Sequence, residues 1–303
     1  MNKSDDAVRK ATQWDKQADL HYFESMQNSI LPDSPCHTAK DWDRRAKDWA
    51  KDFNDRSKEK SKGRIASTIE YLSERGILQE DYDVIDIGCG PGRFTAEFAK
   101  HVNYAVGIDI SEKMLQIGES YLKEEMIHNA ALRVCDFQEV DIEREQMKGA
   151  FDLVFSSITP AINGMKALEK SMEMSRKYCF NITHICKENK LQSKIMKDVF
   201  NRKSDVSKEG YWFYSLFNTL FLKGYYPETS YYLQHKENRL TPDEECAVRF
   251  MNQLLPAQEQ TIKNAKRIEE WLHANVDDNG QVLDGGDTWY GRILWDTRMK
   301  TKR

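Results

Sequence analysis

The central part of the chain alternates short apolar runs with segments of helical periodicity. Five runs are nearly all apolar, which is typical of strands buried on both faces, and they lie at 84–88, 104–109, 132–136, 151–156 and 178–182. Helical segments separate them near 93–100, 112–125 and 160–174. Short buried strands joined by helices predict a parallel sheet covered on both sides, and right-handed crossovers make it a doubly wound α/β fold.

The flanking regions follow other patterns. Residues 1–36 read as a helical arm that leads into a turn-rich link, and apolar positions recur at helical spacing from 41 to 78. After the fifth strand the pattern predicts, in order, a polar helix at 187–200, an aromatic helix at 211–223, a strand near 225–235, helices at 241–254 and 260–274, and a last strand at 287–295 after the turn DGGD.

This order divides the chain into four parts. We expect an N-terminal helical arm and cap at 1–78, a ligand-binding core at 79–186, a helical and aromatic insertion at 187–286 that includes the late strand, and a last core strand with a tail at 287–303. The two later strands bring the expected total to seven.

The composition and net charge limit the classes of protein to which the chain can belong. The 303 residues include 31% charged residues and carry a net charge of -4, which argues against a dedicated nucleic-acid binder. No apolar run approaches the roughly 18 residues that span a bilayer. The basic-leaning tract 56–64 reads as a solvated helix face. Six scattered cysteines without a C-x-x-C pair predict reduced thiols in a cytoplasmic protein, with no metal site.

The stretch 84–95, VIDIGCGPGRFT, is the most informative in the chain. A strand runs into a glycine-rich turn, and a helix begins directly behind it. Gly88, Gly90 and Gly92 have no Cβ, so the backbone can take positive φ and a ligand can approach closely. Asp109 ends the next strand, where its carboxylate is placed to accept both hydroxyls of a ribose. The pattern therefore predicts a nucleoside site.

These residues resemble the class I S-adenosylmethionine-dependent methyltransferases over about residues 81–181. The first motif of that family, acidic-x-Gly-x-Gly-x-Gly, is matched by Asp86, Gly88, Gly90 and Gly92. Nicotinamide dehydrogenases use the different spacing G-x-G-x-x-G. The resemblance implies a Rossmann-like, seven-stranded, mostly parallel sheet, S-adenosylmethionine as methyl donor and S-adenosylhomocysteine as product.

The resemblance also implies roles around the methionine and ribose portions. The turn from Gly88 to Gly92, with the small residue Cys89 inside it, would pack beneath them. Asp86 would orient that turn and hold water near the amino group, and Asp109 would bind the ribose. Ser156 and Ser157, which end the fourth strand, would lie beside the methionine portion.

Four further residues would surround the adenine in that family. Ile110 and Met114 would sandwich the ring. Asp136 would accept a hydrogen bond from the exocyclic amine, and the backbone amide at Phe137 would meet the ring edge.

The catalytic residue cannot be read from a motif, because in-line methyl transfer chiefly needs alignment and exclusion of water. His184, expected in a loop just beyond the fifth strand, is a weak candidate for a base that deprotonates the acceptor. An ordinary surface histidine is the alternative. The Asn/Asp-Pro-Pro-aromatic signature is absent at 156–160, which counts against nucleobase and glutamine amines as acceptors.

Two aromatic segments leave alternatives open. Tyr211 and Tyr214 begin an aromatic run to residue 232 that either lines an acceptor pocket as a lid or packs an appended helix on the sheet. The helix 42–49 resembles the N-terminal helix that many small-molecule methyltransferases fold over the cofactor, with Trp49 closing the methionine side. A purely structural Trp49 is the other interpretation.

The expected function is methylation of a small molecule at oxygen, nitrogen, sulfur or carbon. Methylation of RNA or protein, and a module that binds the cofactor without chemistry, are the alternatives. The sequence predicts no membrane partner, and it does not indicate an oligomeric state.

Overall fold

The computed structural model describes residues 15–30, 38–54, 59–202 and 210–301, with the backbone alone at 28–30, 47–54, 59–62 and 236. Its strands are β1 (Asp83–Ile87), β2 (Tyr104–Asp109), β3 (Ala130–Val134), β4 (Phe151–Ser157), β5 (Ser175–Asn189), β6 (Glu228–Leu240) and β7 (Val282–Asp296). Its helices are α1 (Lys16–Ile30), α2 (Ala39–Asn54), α3 (Glu59–Glu74), α4 (Arg93–Phe98), α5 (Glu112–Glu124), α6 (Gly164–Glu173), α7 (Lys190–Phe200), α8 (Tyr211–Leu222), α9 (Glu244–Leu254) and α10 (Ile262–Ala274), with a 3-10 turn at Ala257–Glu259.

The strands form one sheet in the order β3-β2-β1-β4-β5-β7-β6. The neighbours from β3 to β5 are parallel, whereas β7 runs antiparallel to both β5 and β6. The predicted doubly wound, seven-stranded, mostly parallel fold is thereby confirmed. Within the described residues, none of the helices has both the length and the apolar character that a membrane crossing needs.

Successive strand residues pack on opposite faces of the sheet, which produces two core layers. On one face the buried side chains include Leu72 of α3 and Phe98 of α4. On the other face they include Leu168 of α6 together with Leu216 and Leu220 of α8. Helices α7, α9 and α10 pack around a third cluster, at the far ends of the long antiparallel strands.

The long antiparallel strands differ from the sequence prediction. The fifth strand continues to Asn189 rather than ending at 182, and the last strand begins at Val282, so the predicted DGGD turn lies inside β7. Gly286 explains the difference, because a Cβ there would lie 1.9 Å from the carbonyl oxygen of Glu188. Glycine therefore lets β7 approach β5 closely at a point that the sequence pattern marks as a turn.

The aromatic helix α8 is a core element. Leu216 and Leu220 are fully buried against the sheet, and Phe213 packs beside Gly291 of β7. On the outer side, the ring of Tyr214 contacts Phe23 of α1 at 5.6 Å between centroids. This packing supports the interpretation of α8 as an appended helix on the sheet.

The packing of α8 predicts a stability difference between two leucines. Leu216→Ala should lower the free energy of unfolding by about 2–5 kcal/mol, because it leaves a cavity in a closed core. Leu233→Ala is the matched control, since Leu233 is 44% exposed, and it should cost no more than about 0.5 kcal/mol. Urea denaturation measures both values. Equal losses for the two variants would contradict the core position of α8.

Candidate functional site

A cavity of about 610 Å³ opens at the carboxyl ends of β1, β2 and β4. This edge is where ligands bind in open α/β sheets. The predicted site residues that line it are Asp86, Gly88, Cys89, Gly90, Asp109, Ile110, Met114, Asp136, Phe137 and His184. One cavity therefore brings together most of the residues that the sequence singled out.

Two of the remaining predicted residues, Ser156 and Gly92, do not line the cavity. Ser156 does not line the cavity: its Oγ accepts a hydrogen bond of 2.8 Å from Asn181 Nδ2 inside the sheet, and Ser157 lines the cavity instead. The two serines differ because successive strand residues face opposite sides. Gly92 is the N-cap residue of α4, and a Cβ there would meet Leu132 at 2.9 Å, so it serves packing rather than the cavity wall.

Two of the three candidate lid residues lie away from the cavity. Tyr211 and Tyr214 do not line the cavity, because α8 packs on a face of the sheet rather than over its carboxyl edge. The side chain of Trp49 lies outside the described residues. Trp42, on the same helix α2, does line the cavity.

The glycine turn is tied to the end of β2. The backbone N–H groups of Gly88 and Cys89 both donate to the carbonyl of Ile108, at 2.8 and 3.0 Å. Gly90 has a φ of 55°, and a Cβ at this position would meet nothing within 4 Å. Since Gly90 lines the cavity, its bare backbone leaves room for a ligand to approach closely.

Asp109 joins the glycine turn to the next helix. Its Oδ2 accepts a hydrogen bond of 2.8 Å from the N–H of Gly90, and its Oδ1 accepts one of 2.9 Å from the N–H of Ser111. Burial raises the pKa of Asp109, and the backbone donors oppose that shift. Each carboxylate oxygen can accept a second hydrogen bond. Asp109 can therefore hold the turn and still accept two hydroxyls of a ligand.

Asp86 lies beneath the turn and is only 2% exposed. It accepts a 3.0 Å hydrogen bond from Thr95 Oγ1. Burial raises the pKa of Asp86 to about 7, and the charge of Asp109 adds to the shift. Burial, followed by the charge of Asp86, also raises the pKa of the Cys89 thiol well above its ordinary value. Cys89 therefore stays protonated and is no nucleophile.

The start of α5 and the loop after β3 form the cavity wall on the β3 side. Met114 is buried, and its N–H donates to Ser111 Oγ at 3.2 Å. Asp136 Oδ1 accepts from the N–H of Gln138 at 3.0 Å. Lys170 fixes this loop, since its Nζ donates to the carbonyl of Phe137 at 3.0 Å and to that of Gln138 at 2.8 Å. No motif marks Lys170 in the sequence.

Helix α2 is fastened over this end of the cavity. Asp43 Oδ1 accepts from Ser111 Oγ at 2.6 Å and from the N–H of Lys113 at 3.3 Å. Trp42 lines the cavity, with the guanidinium of Arg45 4.9 Å from its ring centroid. Helix α2 therefore reaches the cavity through Trp42, and the prediction for Trp49 stays open.

His184 lies in strand β5, so the prediction of a loop histidine is wrong. The ring centroids of His184 and of Tyr290 on β7 are 5.0 Å apart, and both residues line the cavity. His184 is exposed at the cavity wall, and partial desolvation there lowers its pKa, with the charges of Lys187 and Arg64 adding to the shift. At neutral pH the imidazole is therefore uncharged, and it is a weak base.

Arg64 of α3 is a cavity residue that sequence reasoning missed. Its guanidinium lies 5.4 Å from the ring centroid of Tyr290 and 5.8 Å from that of Phe94. Its Nε is buried and has no hydrogen-bond partner among the described residues. The tract 56–64 looked like a solvated face, but Arg64, its last residue, lines the cavity.

The sequence profile of the family described as Methyltransferase domain matches residues 78–270. The chain belongs to this family. It is a class I methyltransferase that depends on S-adenosylmethionine.

Solved methyltransferases are similar to this one at low sequence identity. A putative methyltransferase from Bacillus halodurans shares 13% identity, covering 76% of this chain and 99% of its own, with a TM-score of 0.48. A SAM-dependent methyltransferase from Aquifex aeolicus shares 17% identity over 60% of this chain and 89% of its own, with a TM-score of 0.42. No curated protein sequence matches the chain.

The raised pKa of Asp86 predicts a pH-dependent stability. The folded pKa of Asp86, about 7, exceeds the ordinary 3.8. Ionisation of Asp86 therefore lowers the free energy of unfolding. This loss is absent below about pH 4 and complete above about pH 7. Asp86→Asn cannot ionise. Its melting temperature relative to the wild-type methyltransferase should therefore rise across that range, as differential scanning fluorimetry can measure.

Asp152 provides a control of opposite sign. Burial raises its pKa, but hydrogen bonds from Arg176, the N–H of Asp83 and Lys177 outweigh that effect and lower it. Asp152→Asn should therefore lose stability relative to wild type as the pH rises from acid. A melting-temperature difference for Asp86→Asn that stays constant with pH would contradict the assignment.

Proposed function

We propose that this methyltransferase transfers the methyl group of S-adenosylmethionine to a small-molecule acceptor by in-line displacement. The supporting observation is that one cavity extends from Asp136, after β3, to Tyr290 on β7. The nucleoside would occupy the part at β1, β2 and β3, and the acceptor the part at β4, β5 and β7.

The residues of the first part fit an adenosine. The open backbone at Gly90 provides the close approach, and the free lone pairs of Asp109 suit the two ribose hydroxyls. Ile110 and Met114 offer apolar surfaces for the faces of the adenine. Asp136 has one oxygen engaged by Gln138 and the other left to accept from the adenine amine.

Two charged side chains of the cavity suit the amino-acid end of the cofactor. Asp86 is the acidic group beneath the turn and suits the ammonium, directly or through water. Arg64 suits the carboxylate, because its side chain lines the cavity and carboxylates pair well with guanidinium forks.

The residues of this chain position and enclose the reacting groups. When bound, S-adenosylmethionine supplies an electrophilic methyl group on a sulfonium. The cavity wall holds the acceptor in line with it, and α2 with Trp42 keeps water out. His184, which is uncharged and a weak base, serves as a hydrogen-bond partner of the acceptor rather than as a strong base.

A small molecule suits this cavity better than a polymer. Trp42 of α2 and Arg64 of α3 both line it, so two helices enclose part of the cavity. The net charge of -4 argues against RNA. We further propose that the enzyme works in the cytoplasm, which the free thiols of the described cysteines support.

Acceptor-dependent turnover tests the function. The full chain, incubated with S-adenosylmethionine and a filtered extract of cell metabolites, should form S-adenosylhomocysteine faster than without extract. Asp109→Ala should abolish most of this rate, because it removes the ribose acceptor. Turnover only with the macromolecular fraction would favour an RNA or protein substrate, and binding without any turnover would favour a non-catalytic module.

The role of Arg64 can be separated from general damage to the site. Arg64→Gln should weaken binding of S-adenosylhomocysteine by about 1.5–3 kcal/mol through a lost charged hydrogen bond. Methylthioadenosine has no carboxylate, so its affinity should stay unchanged. Arg75→Gln is the matched control, because Arg75 directly follows α3 and pairs with Glu228 instead. Calorimetry showing equal losses for both nucleosides would contradict the carboxylate assignment.

A further inference from the structure

The loop that follows β4 meets the glycine turn that follows β1. Strands β1 and β4 are parallel neighbours, so their carboxyl ends lie side by side. A Cβ on Gly88 would lie 1.9 Å from Thr159 Oγ1 and 2.7 Å from Thr159 Cβ, so Thr159 lies directly against the bare backbone of Gly88. Both residues line the cavity. This contact is therefore the border between the nucleoside half and the acceptor half of the cavity.

The backbone of this loop is held from two sides. Ile158 has a φ of 52°, in the left-handed region that a β-branched side chain rarely adopts. Its N–H donates to the carbonyl of Ile182 on β5 at 2.8 Å, and the carbonyl of Ala161 accepts from Gln138 Nε2. Strained backbone persists only where the surrounding structure enforces it, and it is concentrated at functional sites. The packing of the loop therefore fixes the position of Thr159.

The hydroxyl of Thr159 has hydrogen-bonding capacity to spare. Its Oγ1 accepts a hydrogen bond of 3.1 Å from the N–H of Ala161. A hydroxyl has one O–H donor and two lone pairs, so the donor and one lone pair have no partner among the described residues. Ser157 Oγ and Asn163 Oδ1, on the same wall, are fully buried, whereas Thr159 is partly exposed. Thr159 therefore carries the hydroxyl of this wall that a ligand in the cavity can reach.

We infer that Thr159 positions the acceptor, its hydroxyl forming a hydrogen bond with the atom that receives the methyl group. The inference rests on the proposed function and adds a residue to it. The acceptor atom is then a heteroatom, because carbon would not form this bond. His184 lies on the β5 side of the same half. Partners on two sides fix the orientation of the acceptor as well as its position.

The Thr159 hydroxyl aligns the reaction without exchanging atoms with it. A lone pair of the acceptor atom forms the bond to the methyl carbon as the C–S bond breaks, and the electrons of that bond stay on sulfur, which becomes a neutral thioether. Thr159 keeps its proton, and a proton carried by the acceptor atom passes to water. Loss of the hydroxyl should therefore slow the transfer and leave the affinity for the cofactor intact.

An isosteric substitution tests the inference. Thr159→Val removes the hydroxyl and keeps the shape of the side chain. The full chain is assayed with S-adenosylmethionine and a dilution series of the filtered metabolite extract, which separates the maximal rate from the half-saturating dilution. The maximal rate of S-adenosylhomocysteine formation should fall about tenfold, the effect of one lost hydrogen bond. Thr159→Ser keeps a hydroxyl and should retain most of the rate. The calorimetric affinity for S-adenosylhomocysteine should be unchanged in both variants.

Ser175→Ala is the matched control. Ser175 Oγ accepts a hydrogen bond of 3.1 Å from the N–H of Lys177, the same local bond, at the start of β5 and thus at the opposite edge of the sheet. Thr159→Val and Ser175→Ala each lose such a bond, so both should lower the melting temperature slightly, but only Thr159→Val should slow turnover.

Three results would overturn the positioning role while leaving the proposed function intact. They are a wild-type maximal rate in Thr159→Val, an equal slowing in Thr159→Ser or Ser175→Ala, and a methyl group found on carbon when the donor is trideuteromethyl S-adenosylmethionine and the product is analysed by NMR. Absence of turnover by the wild-type chain with the extract would overturn the proposed function and this inference together.

Discussion

The site depends on the carboxylate of Asp109. Its two oxygens accept from Gly90 N–H on one side and Ser111 N–H on the other, so one side chain fixes the glycine turn and the start of α5 together. Ser111 in turn donates to Asp43, which fastens α2 over the cavity. If this carboxylate were removed, the turn, the helix and the covering arm would each lose a common point of attachment.

Placing a charge at this point has an electrostatic cost. Asp86 lies close by and almost fully buried, and burial with the neighbouring Asp109 raises its pKa to about 7. Two carboxylates in so little water suit a ligand that carries positive charge on a sulfonium and an ammonium. On the far side, the uncharged side chains of His184 and Tyr290 form a wall of different character. The cavity is therefore electrostatically divided, which fits a donor in one half and an acceptor in the other.

The sequence could predict the residues whose place follows from a strand end. Asp86 and Asp109 follow from buried parallel strands, whose carboxyl ends meet at one edge. It could not decide between Ser156 and Ser157, since a shift of one residue reverses the face. The position of Arg64 could not be predicted from the sequence. It depends on how α3 packs against β7 and α4, and such long-range contacts leave no local pattern.

The central claim is that one cavity holds the nucleoside against Asp109 and directs the sulfur toward the wall after β4. A crystal structure of the full chain with S-adenosylhomocysteine tests it most directly. The account predicts both ribose hydroxyls within hydrogen-bond distance of the Asp109 carboxylate, and the sulfur facing Ser157 and Asn163. A nucleoside bound away from Asp109, or a sulfur directed away from that wall, would contradict it.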